Sequence, residues 1–292
     1  MKVLITGAGG LVGASLVRCC SDAGDDVAAH THQSLDISDS QSVERTVSES
    51  KPDAVINCAA WTDVDGCELD QERAFRVNAH GPENLASASR EVGATFVTIS
   101  TDYVFDGAKS GFYTQRDEPN PQSVYGLSKL EGERKARDSN PQAVIVRTGF
   151  VFGHGGKNFL STIVDRARRG ERMRAISDAR GTPTYAPDLA LRLRELALRG
   201  LPAVFHVVNS GNGASYVEFA RLALRVAGAD EQLIEPVSTA SLNRPAARPA
   251  NSCLQCLVSA SIGLAPMRDW EDAVRVFTGA RTLAESLAPA PS

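Results

Sequence analysis

Two short runs hold the residues best suited to chemistry. Ser100-Thr101-Asp102 closes an apolar stretch, and Tyr125-Gly126-Leu127-Ser128-Lys129 follows a polar, Pro-rich loop. On a helix, Tyr125 and Lys129 stand four apart and share a face. An ammonium beside a phenol stabilises the tyrosinate and draws the tyrosine pKa down from about 10. Such a tyrosine can give or take a proton near neutral pH. The Thr101 hydroxyl can hydrogen-bond the same oxygen that the tyrosine protonates. This is apparatus for reducing a carbonyl, provided that a hydride donor binds nearby. By itself the spacing also fits a solvated lysine beside a half-buried tyrosine, so the rest of the chain must supply a cofactor site.

The first residues supply one. Residues 2–6 are an apolar, β-branched run that predicts a buried strand. Gly7-x-x-Gly10-x-x-Gly13 follows, then a helical pattern through Ala14, Leu16, Val17 and Cys20. A strand, a glycine turn and a helix form the start of a dinucleotide-binding fold. The glycines let the backbone approach a pyrophosphate, and the helix start offers it free N–H groups. The second strand, 26–30, runs into His30-Thr31-His32-Gln33 with no carboxylate to grip a ribose 2′-hydroxyl. That favours NADPH, with NADH the alternative. Asp36 and Ile37 come next and are placed to border an adenine.

The elements that must carry the chemistry then follow in alternation. A helix is expected over 39–50 and a strand over 53–60, ending in the small residues Ala59 and Ala60. A loop through Trp61 and Thr62 leads to a long helix over about 71–92 that carries Asn78. A strand over 95–100 delivers Thr101 to the same sheet edge as the glycine loop. The Tyr125 helix and a strand over 143–147 complete the set. This alternation predicts an α/β chain with a Rossmann-like, doubly wound parallel sheet. Beyond residue 150 we expect a helix over 159–169, a short strand over 173–176 and a helix over 189–198. A strand of the main sheet over 203–208 and helices over 216–226 and 270–277 follow. The dinucleotide-binding domain is then 1–150 with about 185–210. A smaller interleaved substrate lobe takes 151–184 and 211–285, and 286–292 reads as a disordered tail.

Composition narrows the partners. The chain has 292 residues, 42% hydrophobic and 23% charged, with a net charge of −4. No long basic run points to nucleic acid or to an anionic membrane. The opening residues lack the apolar core of a signal peptide, and no apolar run approaches a membrane span, so a cytoplasmic location is expected. Six scattered cysteines do not form a disulfide framework, and Cys253-x-x-Cys256 lacks a second pair with zinc-like spacing. No metal site is read from these residues.

The motifs converge on a resemblance. The glycine spacing with Tyr125-x-x-x-Lys129 resembles the extended short-chain dehydrogenase/reductases. Ser100-Thr101-Asp102-Tyr103-Val104-Phe105-Asp106-Gly107 is similar to the dTDP-4-dehydrorhamnose reductase family within them. Ala59-Ala60-Trp61-Thr62-Asp63-Val64-Asp65, Gly156-Lys157-Asn158-Phe159, Gly181-x-Pro183-Thr184-Tyr185 and Arg248-Pro249-Ala250-Asn251-Ser252 extend the match. The resemblance implies NAD(P)H-dependent reduction of the 4-keto group of a nucleotide-linked 6-deoxyhexose, with a dTDP-4-keto-6-deoxysugar as substrate. It implies Thr101, Tyr125 and Lys129 as the catalytic trio. Gly7, Gly10, Leu11, Val12 and Gly13 would serve the pyrophosphate. Asp36 and Ile37 would serve the adenine, and Ala59, Ala60, Trp61 and Thr62 the nicotinamide half, with Tyr125 and Lys129 at its ribose. Thr101, Asp102 and Phe150 would meet the sugar. A homodimer and a bound Mg2+ are implied by the resemblance alone.

Three departures fall on the substrate side. Phe150 stands where the family often has a tryptophan, so an N–H donor is lost. Ala179 replaces a usual glutamine, and Ser252-Cys253-Leu254-Gln255-Cys256 lacks the usual basic and acidic pair. Arg244 and Arg248 could fork onto a diphosphate, or serve as loop surface charge. Two other readings stand beside the reductase. One is a nucleotide-sugar epimerase or dehydratase, although no glutamate accompanies Asp102 and Asp106. The other is a non-catalytic NADP-binding regulatory subunit, for which a missing Tyr or Lys would have argued.

Overall fold

Strands that must be covered on both faces need apolar residues at every position, and the first strand shows how they divide. The computed structural model describes residues 1–156 and 158–286, with side chains through residue 279. In order, the first elements are β1 (Lys2–Thr6), α1 (Leu11–Asp22), β2 (Asp26–His30), α2 (Ser40–Ser50), β3 (Ala54–Asn57), α3 (Val64–Leu69), α4 (Gln71–Phe75), α5 (Gly81–Glu91), β4 (Thr95–Thr101), α6 (Val124–Ser139) and β5 (Val144–Thr148). They continue as β6 (Val151–Phe152), α7 (Phe159–Arg168), β7 (Met173–Ile176), β8 (Arg180–Gly181), β9 (Thr184–Tyr185), α8 (Ala186–Arg199), β10 (Val204–His206), β11 (Ala214–Ser215), α9 (Tyr216–Val226), β12 (Ile234–Val237), α10 (Val258–Ser261) and α11 (Trp270–Ser286).

The main sheet has six strands in the order β2-β1-β3-β4-β5-β10, and all of its pairs are parallel. Val3 and Ile5 point to one face, with Leu16 of α1 and Leu189 and Leu193 of α8. Leu4 points to the other, with Val43 and Val47 of α2, Leu85 of α5 and Ala136 of α6. This period of two, apolar on both faces, is what a parallel sheet between helical layers requires. The chain runs from β1 outward to β2 and returns to β3 on the other side. Strand order therefore reverses at β1 and β3, where such sheets bind ligands beyond the strand ends.

A second core gathers Phe152, Leu160 and Ile163, Phe219 and Leu222 of α9, and Val274 and Phe277 of α11. Its strands are small pairs: β6 with β9 and β7 with β12, both parallel, and β8 with β11, antiparallel.

Several local expectations need correction. The helix expected over 71–92 is divided into α4, a π-helical turn at Arg76–His80, and α5. The widened turn carries Asn78, and π turns often sit where a side chain must be re-aimed. The loop after Trp61 contains α3, started by Asp63, whose carboxylate accepts the Gly66 N–H. The last helix runs past 277 to Ser286, so Ser286 is helical rather than tail. Residues 287–292 lie outside the described residues.

Candidate active site

The glycine loop is built for close approach. Gly7 has φ of +68°, and a Cβ there would lie 2.6 Å from the Ala59 nitrogen. A Cβ on Gly13 would run into the Gly7 carbonyl. These two glycines seat β1, the end of β3 and α1 against one another. Gly10 caps α1 without a side-chain hydrogen bond, so the first-turn N–H groups stay available to an anion.

That helix start opens on a cleft of about 460 Å³ at the reversal point of the sheet. Gly10, Leu11, Val12, Gly13, Ala60 and Thr62 line it from one side, and Thr101, Asp102, Tyr125, Lys129 and Phe150 from the other. The predicted trio is thus gathered with most of the predicted cofactor residues. Gly7 and Ala59 stand behind the wall and touch each other. Ile37 is buried beneath Gly81, while Asp36 is exposed and accepts from the Ser38 N–H and hydroxyl.

Two polar networks aim the trio. Asn78 accepts the Trp61 N–H at 2.8 Å and donates to the Trp61 carbonyl at 3.0 Å and to Ser128 Oγ at 3.1 Å. It fixes the loop after β3 to the helix that carries Tyr125. The Arg73 guanidinium covers the Trp61 ring at 4.3 Å. Behind Lys129, Glu133 takes a fork from Arg147 at 2.9 and 2.7 Å and the Ser100 hydroxyl at 2.5 Å. All three side chains are buried. Tyr125, Lys129 and Glu133 follow one another at intervals of four along α6, so the same helix face holds Tyr125, Lys129 and their anchor. Gly126 and Gly132 let that face approach the Tyr103 and Asn78 carbonyls.

Proton positions differ from the sequence expectation in two ways. Burial pushes the Tyr125 phenol up, partly offset by a hydrogen bond with Thr101. Lys129 Nζ donates to the Ile99 carbonyl at 2.6 Å. Burial pushes Lys129 down to about 8, against the raising effect of Glu133. Thr101 Oγ1 donates to Asp102 Oδ1 at 3.1 Å, so its proton is directed away from the cleft's reacting groups. Asp102 is itself buried, and desolvation pushes its carboxyl up to about 6.

Tyr103 and Tyr216 complete the aromatic wall and were not singled out in the sequence. Their hydroxyls hydrogen-bond each other, and burial pushes Tyr103 up to about 12. Tyr216 stacks on Phe150 with ring centres 4.3 Å apart, and Tyr103 meets Tyr125 edge-on at 5.9 Å. Tyr216 starts an amphipathic helix, so its position in the sequence signals only the helix. The Thr148 hydroxyl, in register with Thr101 across β4 and β5, lines the cleft, buried and without a protein hydrogen-bond partner.

The two arginines line one recess. Arg248 is forked by Asp65 at 2.9 and 2.8 Å, which occupies the geometry expected for a diphosphate. Arg244, Arg248 and Arg174 line this recess of about 200 Å³, which shares Phe159 and Tyr216 with the main cleft. The Lys157 of the expected Gly156-Lys157-Asn158-Phe159 match lies outside the described residues. Among the described residues, no group of three or more His, Cys, Asp or Glu side chains is placed to hold a metal ion. No helix among them is long and apolar enough to cross a membrane.

A doubly wound sheet, a glycine cradle at its reversal point and a Tyr-x-x-x-Lys helix define an extended short-chain dehydrogenase/reductase. The relatives narrow the class. A family model described as RmlD substrate binding domain matches residues 1–282. A dTDP-4-dehydrorhamnose reductase of Mycobacterium tuberculosis is 41% identical over 94% of this chain and 91% of its own length. A probable dTDP-4,6-dihydroxy-2-methyloxan-3-one 4-ketoreductase of Streptomyces antibioticus is 37% identical over 94% of each chain. The crystal structure of dTDP-4-dehydrorhamnose reductase from Bacillus anthracis in complex with NADP has a TM-score of 0.92 at 35% identity, covering 96% of this chain and 100% of that one. The chain belongs to the dTDP-4-dehydrorhamnose reductase family.

Proposed function

We propose that this chain reduces the 4-keto group of a dTDP-linked 6-deoxyhexose with NADPH, in deoxysugar biosynthesis. The observation that carries the reading is the meeting of Thr101, Tyr125 and Lys129 in the cleft onto which the bare start of α1 opens. The cradle fits a dinucleotide: no side chain caps α1, and the Thr148 hydroxyl is a buried polar atom still lacking a partner. Gly10, Leu11, Val12 and Gly13 would hold the pyrophosphate. Asp36 and Ile37 would hold the adenine side, and Ala60, Trp61 and Thr62 the nicotinamide half. When bound, NADPH supplies the hydride.

The chain supplies the proton and the geometry. Burial keeps Tyr125 protonated at neutral pH, so it is ready as the acid that gives its phenolic proton to the sugar oxygen. Lys129, buried and cationic, is the positive group nearest that exchange on its helix. Phe150 and Tyr216 wall the sugar, and the recess with Arg174 and Arg244 accepts the nucleoside diphosphate. The lack of a carboxylate after β2 supports NADPH over NADH. Six free thiols are in keeping with the reducing cytoplasm that we propose as its compartment.

The test follows reduced-nicotinamide absorbance with dTDP-4-keto-6-deoxyhexoses, NADPH and NADH side by side, and identifies the sugar formed. Tyr125→Phe should lower kcat by about 10³-fold while NADPH still binds. Unchanged turnover in that variant would overturn the mechanism. Tight NADPH binding by the unmodified protein without turnover of any keto-sugar would point instead to a regulatory subunit.

A further inference from the structure

Ser252 reaches the catalytic cluster from the second lobe. Its N–H donates to the Arg180 carbonyl at 2.8 Å, and the Arg180 N–H donates to the Ala250 carbonyl at 2.9 Å. The segment is thereby laced to β8. Its hydroxyl donates to Asp102 Oδ2 at 2.5 Å. The alternative acceptor, the Arg180 carbonyl, is 3.4 Å away, so the single proton belongs to Asp102. Room for the carboxylate comes from Gly149, where any Cβ would collide with it.

The other carboxylate oxygen takes the Thr101 proton at 3.1 Å. Thr101 Oγ1 also accepts the Tyr103 N–H at 3.2 Å and bonds the Tyr125 hydroxyl. A threonine hydroxyl has one proton. With that proton on Asp102, the Tyr125 hydroxyl must be the donor to Thr101.

We propose that Ser252 is a positioning residue of the reaction. Resting on the reductase reading above, it clamps the Asp102 carboxylate from the second lobe, so that Thr101 is held as an acceptor and Tyr125 as a donor. Ionised Asp102 holds this polarity. A protonated Asp102 becomes a donor itself and reverses the Thr101 hydroxyl. The groups facing Asp102 are Tyr103, Tyr125, Tyr216 and Cys253. Burial raises all four above their ordinary values, so none of them titrates on the acid side. The nearby Arg248 guanidinium is engaged by Asp65. Asp102 is therefore the group of this cluster that changes charge near pH 6.

The experiment compares the unmodified protein with Ser252→Ala and Ser252→Thr. The kcat of the unmodified enzyme should fall as pH drops through about 6. Losing a hydrogen bond to the ionised carboxylate should move that midpoint up by about one pH unit in Ser252→Ala. Its kcat at pH 7 should fall severalfold with the KM for NADPH unchanged, and Ser252→Thr should restore both. A midpoint that stays in place, or NADPH affinity lost in parallel with kcat, would overturn the proposal. A second measurement needs no turnover. Carboxyl NMR titration of Asp102 should show the same upward move in Ser252→Ala, and an unmoved titration would sink the clamp. Failure of the reductase reading would appear separately, as an unmodified protein that turns over no keto-sugar.

Discussion

The two sides of the cleft are held by different kinds of contact. On the side of the main sheet, Ser100, Glu133 and Arg147 come from β4, α6 and β5 and close a buried network. On the other side, the anchors cross between segments distant in sequence. Arg248 forks onto Asp65, and Ser252 reaches Asp102. The closed network should serve the fold first, because its two charges are buried and forked onto each other. The crossing contacts should set how the cleft is seated against the segment that carries Arg248 and Ser252. The closed network thus holds the fold behind Lys129, and the crossing contacts tie Asp65 and Asp102 to that distant segment.

The largest effect should come from breaking the closed network. Arg147→Met strands the Glu133 charge in the interior and should cost about 3–5 kcal/mol in chemical denaturation. Replacing both partners, as Glu133→Leu with Arg147→Met, should recover most of that loss. A double variant as unstable as the single one would break the comparison. Next comes His206, whose Nδ1 faces the Tyr113 and Gln255 carbonyls and so carries the proton of the neutral ring. Burial, with the Arg147 charge, pushes it down to about 4, against about 6.5 in the unfolded chain. Between those values the unfolded state binds more protons. Stability should therefore fall as pH falls from 6.5 to 4, by up to ~3 kcal/mol. His206→Gln should flatten that part of the curve in urea denaturation at pH 7 and 4.5, and an equally steep loss would remove this anchor. The smallest effect belongs to Asp65→Asn. The KM for the nucleotide sugar should rise about fivefold, or ~1 kcal/mol, with kcat and the KM for NADPH nearly unchanged. A fall in kcat instead would place Asp65 with the reacting groups.

What was legible in the sequence follows the reach of its signals. Tyr125 and Lys129 are found by a spacing of four, and the glycine loop by a strand before it and a helix after it. Both signals are local, and both sets of residues arrive in the cleft. The same spacing continues to Glu133, so the helix anchor could have been read as well. The proton direction at Thr101 could not, because it depends on Asp102, which depends on Ser252, 150 residues further along the chain. Strands of two residues, such as β6 and β8, are too short to show a period. The division of the long helix at Asn78 follows from the need to reach the Trp61 backbone, a tertiary demand that overrides helical pattern. Arginine chemistry alone fits a diphosphate, and only the fold shows that Asp65 already engages Arg248.

Phe150 has φ of +46°, a left-handed backbone that side chains other than glycine rarely adopt. It stays there while stacked on Tyr216 and pressed against Gly181, where a Cβ would collide with its ring. The residues that adopt this backbone most easily, glycine, asparagine and aspartate, are those that cannot rebuild an aromatic wall. Evolution at this position is therefore constrained in an unusual way. Each step that relaxes the chain dismantles part of the aromatic wall, and each step that keeps the wall retains the strain. A lineage leaving this substrate could pass through residue 150 with a gain in stability, and one returning to it would climb against that gain.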